Sequence, residues 1–189
     1  MTLTAYGDEA QAALEKAQDE VEKLEDEWSV TNENSEIYQL NHSGGNPVTL
    51  SEDTADIVGF ALEMAEETGG DLDPTIYPVL EAWGFTTDEN RIPSQEELDA
   101  LLANVGYERV QMDGTTVRLP AGMEFDLGAV GKGYTGDILA QLLEDEGVTS
   151  ALLDLGGNIQ AVGERPGGGD WRLGIRSPFD GGKGVLGML

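Results

Sequence analysis

The chain contains no cysteine. Disulfides, zinc–thiolate sites and cysteine nucleophiles are therefore excluded. Its single histidine, His42, rules out a two-histidine metal centre and argues against a histidine-based triad. Basic residues are scarce: 10 Lys and Arg stand against 37 Asp and Glu, a formal charge of -27. Neither nucleic acid nor an anionic membrane surface suits such a chain, because phosphates must be neutralised by basic groups. No apolar run approaches the ~20 residues of a membrane span, and no signal-peptide pattern opens the sequence. A nucleophile elbow, a Walker lysine motif and a carboxylate pair of recognisable acid/base spacing are also lacking.

What remains is 189 residues with 26 glycines, the size of one domain (1-189) or of a piece of a larger one. A chain of this length buries about two-thirds of its unfolded surface, so a core is feasible. Ala10, Ala13, Leu14, Ala17, Val21, Leu24 and Trp28 recur at helical steps, predicting a helix from Asp8 to Trp28. Leu3 to Tyr6 reads as a strand before it. The polar stretch from Ser29 to Pro47 has Ile37 and Leu40 as its apolar anchors. Ser51 then caps a helix from Asp53 to Thr68, ended by Gly69-Gly70. Asp73-Pro74 opens a helical turn reaching Trp83-Gly84, and Ser94 to Glu97 is a capping box for a helix stopping near Gly106.

Strands are expected at Glu108 to Met112 and Thr115 to Leu119, flanking an Asp113-Gly114 hairpin turn. Others are expected at Met123 to Leu127, Ser150 to Leu155 and Trp171 to Ile175. A helix runs from about Asp137 to Asp145, and Gly181-Gly182-Lys183-Gly184 leads into an apolar tail. Helices interspersed with a hairpin indicate an α+β fold with a mixed sheet.

The run Asp126 to Gly136 is the most informative. It lies between an expected strand and an expected helix, where exposed amides and the helix dipole favour an anion. Glycines let backbone approach a phosphate closely, Gly133 among them, and Lys132, one of 4 lysines, adds a point charge. Gly131, Gly133 and Gly136 also spell G-x-G-x-x-G, with Asp154 about twenty residues on, where a ribose-binding acid stands in nicotinamide-type folds. Against that reading, Gly128 already breaks the strand, and too little sequence follows for a doubly wound sheet. A plainer reading makes these glycines a tight turn with Lys132 solvated.

Asp71 and Asp73 stand two residues apart after a helix stop. Asp73 before Pro74 reads as a helix N-cap, and the same extended backbone suits gripping a ligand. Asp154-Leu155-Gly156-Gly157-Asn158 is a tight turn or a second close approach. Trp83 and Trp171 read as packing residues.

Taken together, these segments resemble one family. Ser29 with Ser35-Glu36-Ile37-Tyr38-Gln39-Leu40-Asn41 is similar to S-x(n)-S-E-I-x-x-L-N. Gly69 to Thr75 with Pro78 and Trp83-Gly84-Phe85 resembles S-G-G-x-F-D-P-T…P…W-G-F. Asp126 to Gly133 resembles D-L-G-x-I-A-K-G, Leu153 to Asn158 resembles N-L-G-G-D/N, and Trp171 to Pro178 resembles W-x-x-G-I-x-x-P. The resemblance is to the ApbE-type family, the flavin transferases that move FMN from FAD to a protein threonine or serine.

The resemblance implies a Mg²⁺-dependent phosphoryl transfer from FAD with release of AMP. The partner would be an acceptor flavoprotein carrying a Thr/Ser attachment motif, and the place of work would be outside the cytoplasm. It carries FAD-contacting roles onto Asp71, Leu72, Asp73, Asp126 and Lys132, and a magnesium ligand onto the Ala129 backbone carbonyl; the glycine turn itself adds Gly131 and Gly133 as cofactor-binding candidates. Thr31 stands where the family has an aromatic residue near the flavin, and Leu72 where it has Phe. The resemblance also places an N-terminal Met-Gly-Thr stretch before this sequence and further metal ligands beyond Leu189. Hydrolysis of FAD, flavin binding without turnover and the nicotinamide-type module are the alternative functions.

Overall fold

The computed structural model describes residues 1–87, 90–179 and 184–189. In chain order the elements are β1 (Thr2–Ala5), α1 (Ala10–Trp28), α2 (Glu36–Asn41), β2 (Val48–Thr49), α3 (Glu52–Glu67), α4 (Tyr77–Trp83) and α5 (Gln95–Leu102). A 3-10 turn at Tyr107–Arg109 precedes β3 (Gln111–Asp113) and β4 (Thr116–Arg118). Then come α6 (Gly131–Asp145), β5 (Ser150–Asp154), β6 (Ile159–Gly163), β7 (Gly174–Arg176) and β8 (Val185–Met188). The expected α+β class holds. Strand pairing is antiparallel in all three small sheets, β1-β5-β6, β2-β4-β3 and β7-β8. A lone bridge between Ile76 and Glu124 is parallel.

The chain divides into two compact units, one formed by Met1–Glu20 with Thr135–Leu189, the other by Val21–Tyr134. In the first, β5 pairs with β1 on one side and with β6 on the other. Ala151 and Leu153 of β5 are buried with Val162 of β6, Leu139 and Leu143 of α6, and the small side chains Ala10, Ala13 and Ala17 of α1. The β5–β6 connection is the Asp154 to Asn158 turn. Gly156 and Gly157 take φ +74° and +97° there, and Asp154 Oδ1 accepts from the Gly157 amide at 2.7 Å. At the far end of β6, Gly163 has φ +55°, and a Cβ there would stand 2.1 Å from the Thr149 carbonyl oxygen. The Gly163 carbonyl in turn accepts from the Trp171 indole at 3.0 Å.

The second unit has its own core, including Ile37 and Leu40 of α2, Ile57, Val58 and Ala61 of α3, Val117 of β4, and the loop residues Met123, Phe125 and Leu127. Ser35, Ser51 and Ser94 each cap a helix in extended conformation, accepting from the amides of Tyr38, Thr54 and Glu97. Ser51 and Ser94 do what the sequence predicts of them.

Several boundaries differ from expectation, each for a local reason. Asp113 pairs with Thr116, so the hairpin turn is Gly114-Thr115 rather than Asp113-Gly114, with Gly114 at φ +57°. The start of the expected Glu108 strand is the 3-10 turn. Met123 to Leu127 alternates as a strand should, with Met123, Phe125 and Leu127 buried. It is nevertheless no strand, because its backbone groups bond to a loop carbonyl and a side-chain amide. Helix α4 opens at Ile76, not at Asp73, and carries Pro78 in its first turn. Helix α6 begins six residues before Asp137, at Gly131. Tyr134 lies 6.1 Å from the Trp28 ring and 5.4 Å from the Phe60 ring, centroid to centroid. With buried Val130 one turn earlier, this packing outweighs the poor helix propensity of the glycines. The Trp171 strand shifts to Gly174–Arg176. Strands β2, β6 and β8 and helix α2 were not anticipated. Gly181 to Lys183 lie outside the described residues.

Candidate functional site

All sequence-predicted site residues lie in the second unit, and Asp126 is the one most firmly placed. The peptide unit joining Phe125 to Asp126 is held at both polar ends. Asn41 Nδ2 donates to the Phe125 carbonyl at 2.9 Å, and the Asp126 amide donates to the Pro74 carbonyl at 2.7 Å. The Phe125 amide also donates to Asn41 Oδ1 at 2.7 Å. Phe125 itself is fully buried, so the side chain of Asp126 leaves the opposite side of the extended segment.

The Pro74 carbonyl is fixed in turn by its neighbours. Asp73 Oδ1 accepts from the Thr75 amide at 2.9 Å and from its hydroxyl at 2.6 Å, while Oδ2 accepts from the Tyr107 amide at 3.1 Å. Thr75 is fully buried, and its Oγ1 accepts from the Gly106 amide at 2.8 Å. Asp73 therefore serves neither as the expected N-cap nor with a carboxylate free of protein partners; it ties its loop to Gly106-Tyr107. Asp71 is exposed, and the Leu72 amide bonds back to Thr68 Oγ1 at 3.1 Å. No described hydrogen bond links Asp71 or Leu72 to the Asp126 segment.

Beyond Asp126 the chain turns at Gly128-Ala129-Val130 and enters α6. The Gly128 amide donates to Asp126 Oδ2 at 3.1 Å, and a Cβ on Gly128 would stand 2.8 Å from that same oxygen. A β-carbon there would push the carboxylate out of this position. Leu127 O accepts from the Val130 and Gly131 amides, and Val130 O accepts from Tyr134. Among the described residues, no backbone carbonyl accepts from the amides of Ala129, Lys132 or Gly133, and no backbone amide donates to the Ala129 carbonyl. These are the unpaired donors of a helix start, at its electropositive end. Gly131 and Gly133 are helical, and no protein atom lies within 4 Å of where either would carry a Cβ. Space is thus open over this first turn, so the expected close approach at Gly133 is not an approach to protein. Gly136, by contrast, packs against Leu155 and Gln160, whose atoms would lie 3.5 and 3.6 Å from its Cβ.

The electrostatics agree with the geometry. Burial raises the Asp126 carboxyl above its ordinary value, opposed by the Gly128 amide and by the positive charge of Lys132. Lys132 is exposed and makes no ion pair among the described residues. Glu124 is likewise raised, by burial and then by the nearby charge of Glu81, with His42 pulling the other way. A shallow cleft of about 310 Å³ opens elsewhere in this unit, lined by Glu22, Glu25, Asp26, Ser29 and Asn32. Its three carboxylates make it unsuitable for a pyrophosphate.

The G-x-G-x-x-G reading fails structurally. All three glycines lie inside α6, no strand runs directly into their turn, and no parallel sheet is built among the described residues. Sequence reasoning passed over Asn41, Thr75 and Glu36 as individuals. The Asn41 contact spans 84 positions and has no local signature.

Ala129 offers one free carbonyl oxygen to a hard cation, which takes about six such ligands. Among the described residues no group of three His, Asp or Glu side chains could hold a metal. The described residues alone do not make a magnesium cage.

Comparison with known proteins follows the same lines. The chain is 33% identical over 175 residues to an FAD:protein FMN transferase of Escherichia coli K12, covering 88% of this chain and 50% of that protein. It is 32% identical over 187 residues to one of Treponema pallidum, covering 90% and 52% respectively. The chain thus spans about half the length of these relatives. Among solved structures, the ApbE protein of Thermotoga maritima superposes with a TM-score of 0.90 at 28% identity, over 98% of this chain and 61% of that one. The flavin transferase ApbE of Vibrio cholerae gives 0.85 at 26%, over 97% and 60%. The ApbE family model matches residues 1–189. With the Asp126 turn and its glycine-rich helix start in place, the chain belongs to the ApbE family.

Proposed function

We propose that this chain forms the flavin-nucleotide-holding part of an FAD:protein FMN transferase. The observation that carries this reading is the start of α6, where unpaired amides of Lys132 and Gly133, the Lys132 charge and open space over two glycines lie one turn from a fixed carboxylate, Asp126. Such a surface suits a pyrophosphate, with Lys132 and the helix start meeting its charge. Asp126, partly desolvated and held by backbone, suits a hydrogen-bonding group of the same nucleotide rather than its phosphates, which it would repel. Asp71, Leu72 and Asp73 supply backbone on a pinned loop.

In the reaction, the hydroxyl oxygen of an acceptor threonine or serine attacks the FMN-side phosphorus. The bond from that phosphorus to the bridging oxygen breaks, AMP departs with that oxygen, and the hydroxyl proton passes to solvent. Catalysis of this kind rests on positioning and charge stabilisation. Magnesium belongs to the same reading, with the Ala129 carbonyl as one ligand; when bound it would neutralise charge developing on the phosphates. The acceptor with its attachment motif and a place of work outside the cytoplasm are proposed on family resemblance.

The test is incubation with FAD, Mg²⁺ and a protein bearing a Thr/Ser attachment motif, following AMP and covalent flavin. Release of AMP together with flavinylated acceptor is expected. Release of FMN and AMP without flavinylation would replace transfer by hydrolysis, and flavin binding with no AMP would reduce the protein to a binder.

A further inference from the structure

We infer that Asn41 is a positioning residue for the Asp126 carboxylate, acting on a bound nucleotide without touching it; this rests on the flavin-transferase reading above. A planar peptide unit has two polar ends, and holding both fixes the torsions on either side of it. For the Phe125–Asp126 peptide, Asn41 Nδ2 holds the carbonyl end and Pro74 O the amide end. Asn41 Oδ1 takes the preceding amide as well. The direction in which Asp126 leaves the backbone is therefore set by Asn41 on one side and by the Asp73–Thr75 loop on the other.

Among the described residues, no other side chain bonds to the Phe125 carbonyl or amide. Among the described residues the segment belongs to no sheet, and its one ladder contact is the Ile76–Glu124 bridge. Asn41 is itself well placed, as the last residue of a helix capped by Ser35 and anchored by buried Ile37 and Leu40. The chemistry requires asparagine. One donor and one acceptor must face one backbone residue, which fixes the amide orientation. Aspartate has the acceptor but would set a carboxylate oxygen against the Phe125 carbonyl, where the asparagine amide now donates. Leucine makes neither bond.

The experiment uses the full-length protein and a double-mutant cycle. Asn41→Ala should weaken FAD binding about tenfold when Asp126 is intact, the order expected for lost hydrogen bonds at a buried peptide. In an Asp126→Asn background the same change should alter FAD affinity less than about twofold. Equal losses in both backgrounds overturn the inference, since Asn41 would then act on the fold at large. Asn41→Asp, which keeps the shape, replaces the alanine variant if that one does not fold, and must show the same dependence on background. Amide hydrogen exchange in the flavin-free protein separates this inference from the functional reading. The amides of Phe125 and Asp126 should exchange about tenfold faster in Asn41→Ala, with Leu139 and Leu143 unmoved. Unchanged exchange at Asp126 overturns the inference whether or not FAD binds. Accelerated exchange in a protein that binds no FAD supports the hold on Asp126 and overturns the flavin reading alone.

Discussion

Glu36 sets both carboxylate oxygens on the amide of Ser51, at 3.0 and 3.1 Å, and accepts the Ser51 hydroxyl at 2.8 Å. Ser51 is itself the N-cap of α3, its Oγ accepting from the Thr54 amide at 3.2 Å. A negative charge at that helix start is favourable. In the S-E-I-x-x-L-N segment, then, Ser35 caps its own helix and Glu36 braces the cap of the next. Ile37 and Leu40 fill the core, and Asn41 holds Phe125.

Glu36→Ala should destabilise the fold by about 2 kcal/mol, the order expected for hydrogen bonds to a charged group lost beside a helix cap. Glu36→Gln, which keeps one acceptor, should cost less than half as much. Urea denaturation measures both, and an alanine variant with an unchanged midpoint would remove Glu36 from the list of stabilising contacts.

Asp126→Asn separates stability from binding. Because burial raises the Asp126 carboxyl, the folded state keeps its proton to higher pH than the unfolded chain does. Stability falls as pH climbs through that interval and stays reduced above it. The asparagine variant escapes this loss and still accepts from the Gly128 amide. It should melt higher than wild type at pH 7, with the gap closing as pH approaches about 4, while FAD binding weakens. A gap that widens toward acid would contradict the burial of this carboxyl.

Gly133→Ala should stabilise the free protein by about 0.5–1 kcal/mol, since a helical glycine is replaced where no protein atom is within 4 Å. The same methyl should weaken FAD binding if the nucleotide uses that space. Calorimetry with and without FAD reads both effects. A stabilised variant with undiminished affinity would move the nucleotide off this turn.

Lys132→Ala should leave the melting temperature nearly unchanged, because the side chain is exposed. FAD affinity should fall about ten- to hundredfold, the worth of a charge-assisted contact to phosphate. A large fall in melting temperature with intact affinity would make Lys132 a structural residue instead.

The longer helices with regular apolar spacing or a capping signal were legible in the sequence, whereas six-residue α2 was not, although Ser35 caps it. For α1, α3 and α5 the information is local, carried by Ala13 and Ala17, by Ser51 and by Ser94. The Asp126 turn was legible for the same reason, since a glycine run beside a lone lysine is a local signal. What escaped depends on distant partners. Met123 to Leu127 alternates like a strand, yet Asn41 and Pro74 take its hydrogen bonds. Gly131 to Gly136 looks like a loop, yet Tyr134 against Trp28 and Phe60 draws it into a helix. Asp73 has the sequence of a cap, and only the arrival of Tyr107, whose amide donates to its carboxylate, shows what it holds.

Gly163 lies at the solvent-facing end of β6, in the unit that lacks Asp126. With a positive φ and a neighbouring carbonyl where any β-carbon would go, it admits one amino acid of the twenty. A saturation screen scored on growth would record it as blank as any reacting position. Intolerance there reports the junction of two strands, and a map of essential residues drawn without coordinates would count it as chemistry.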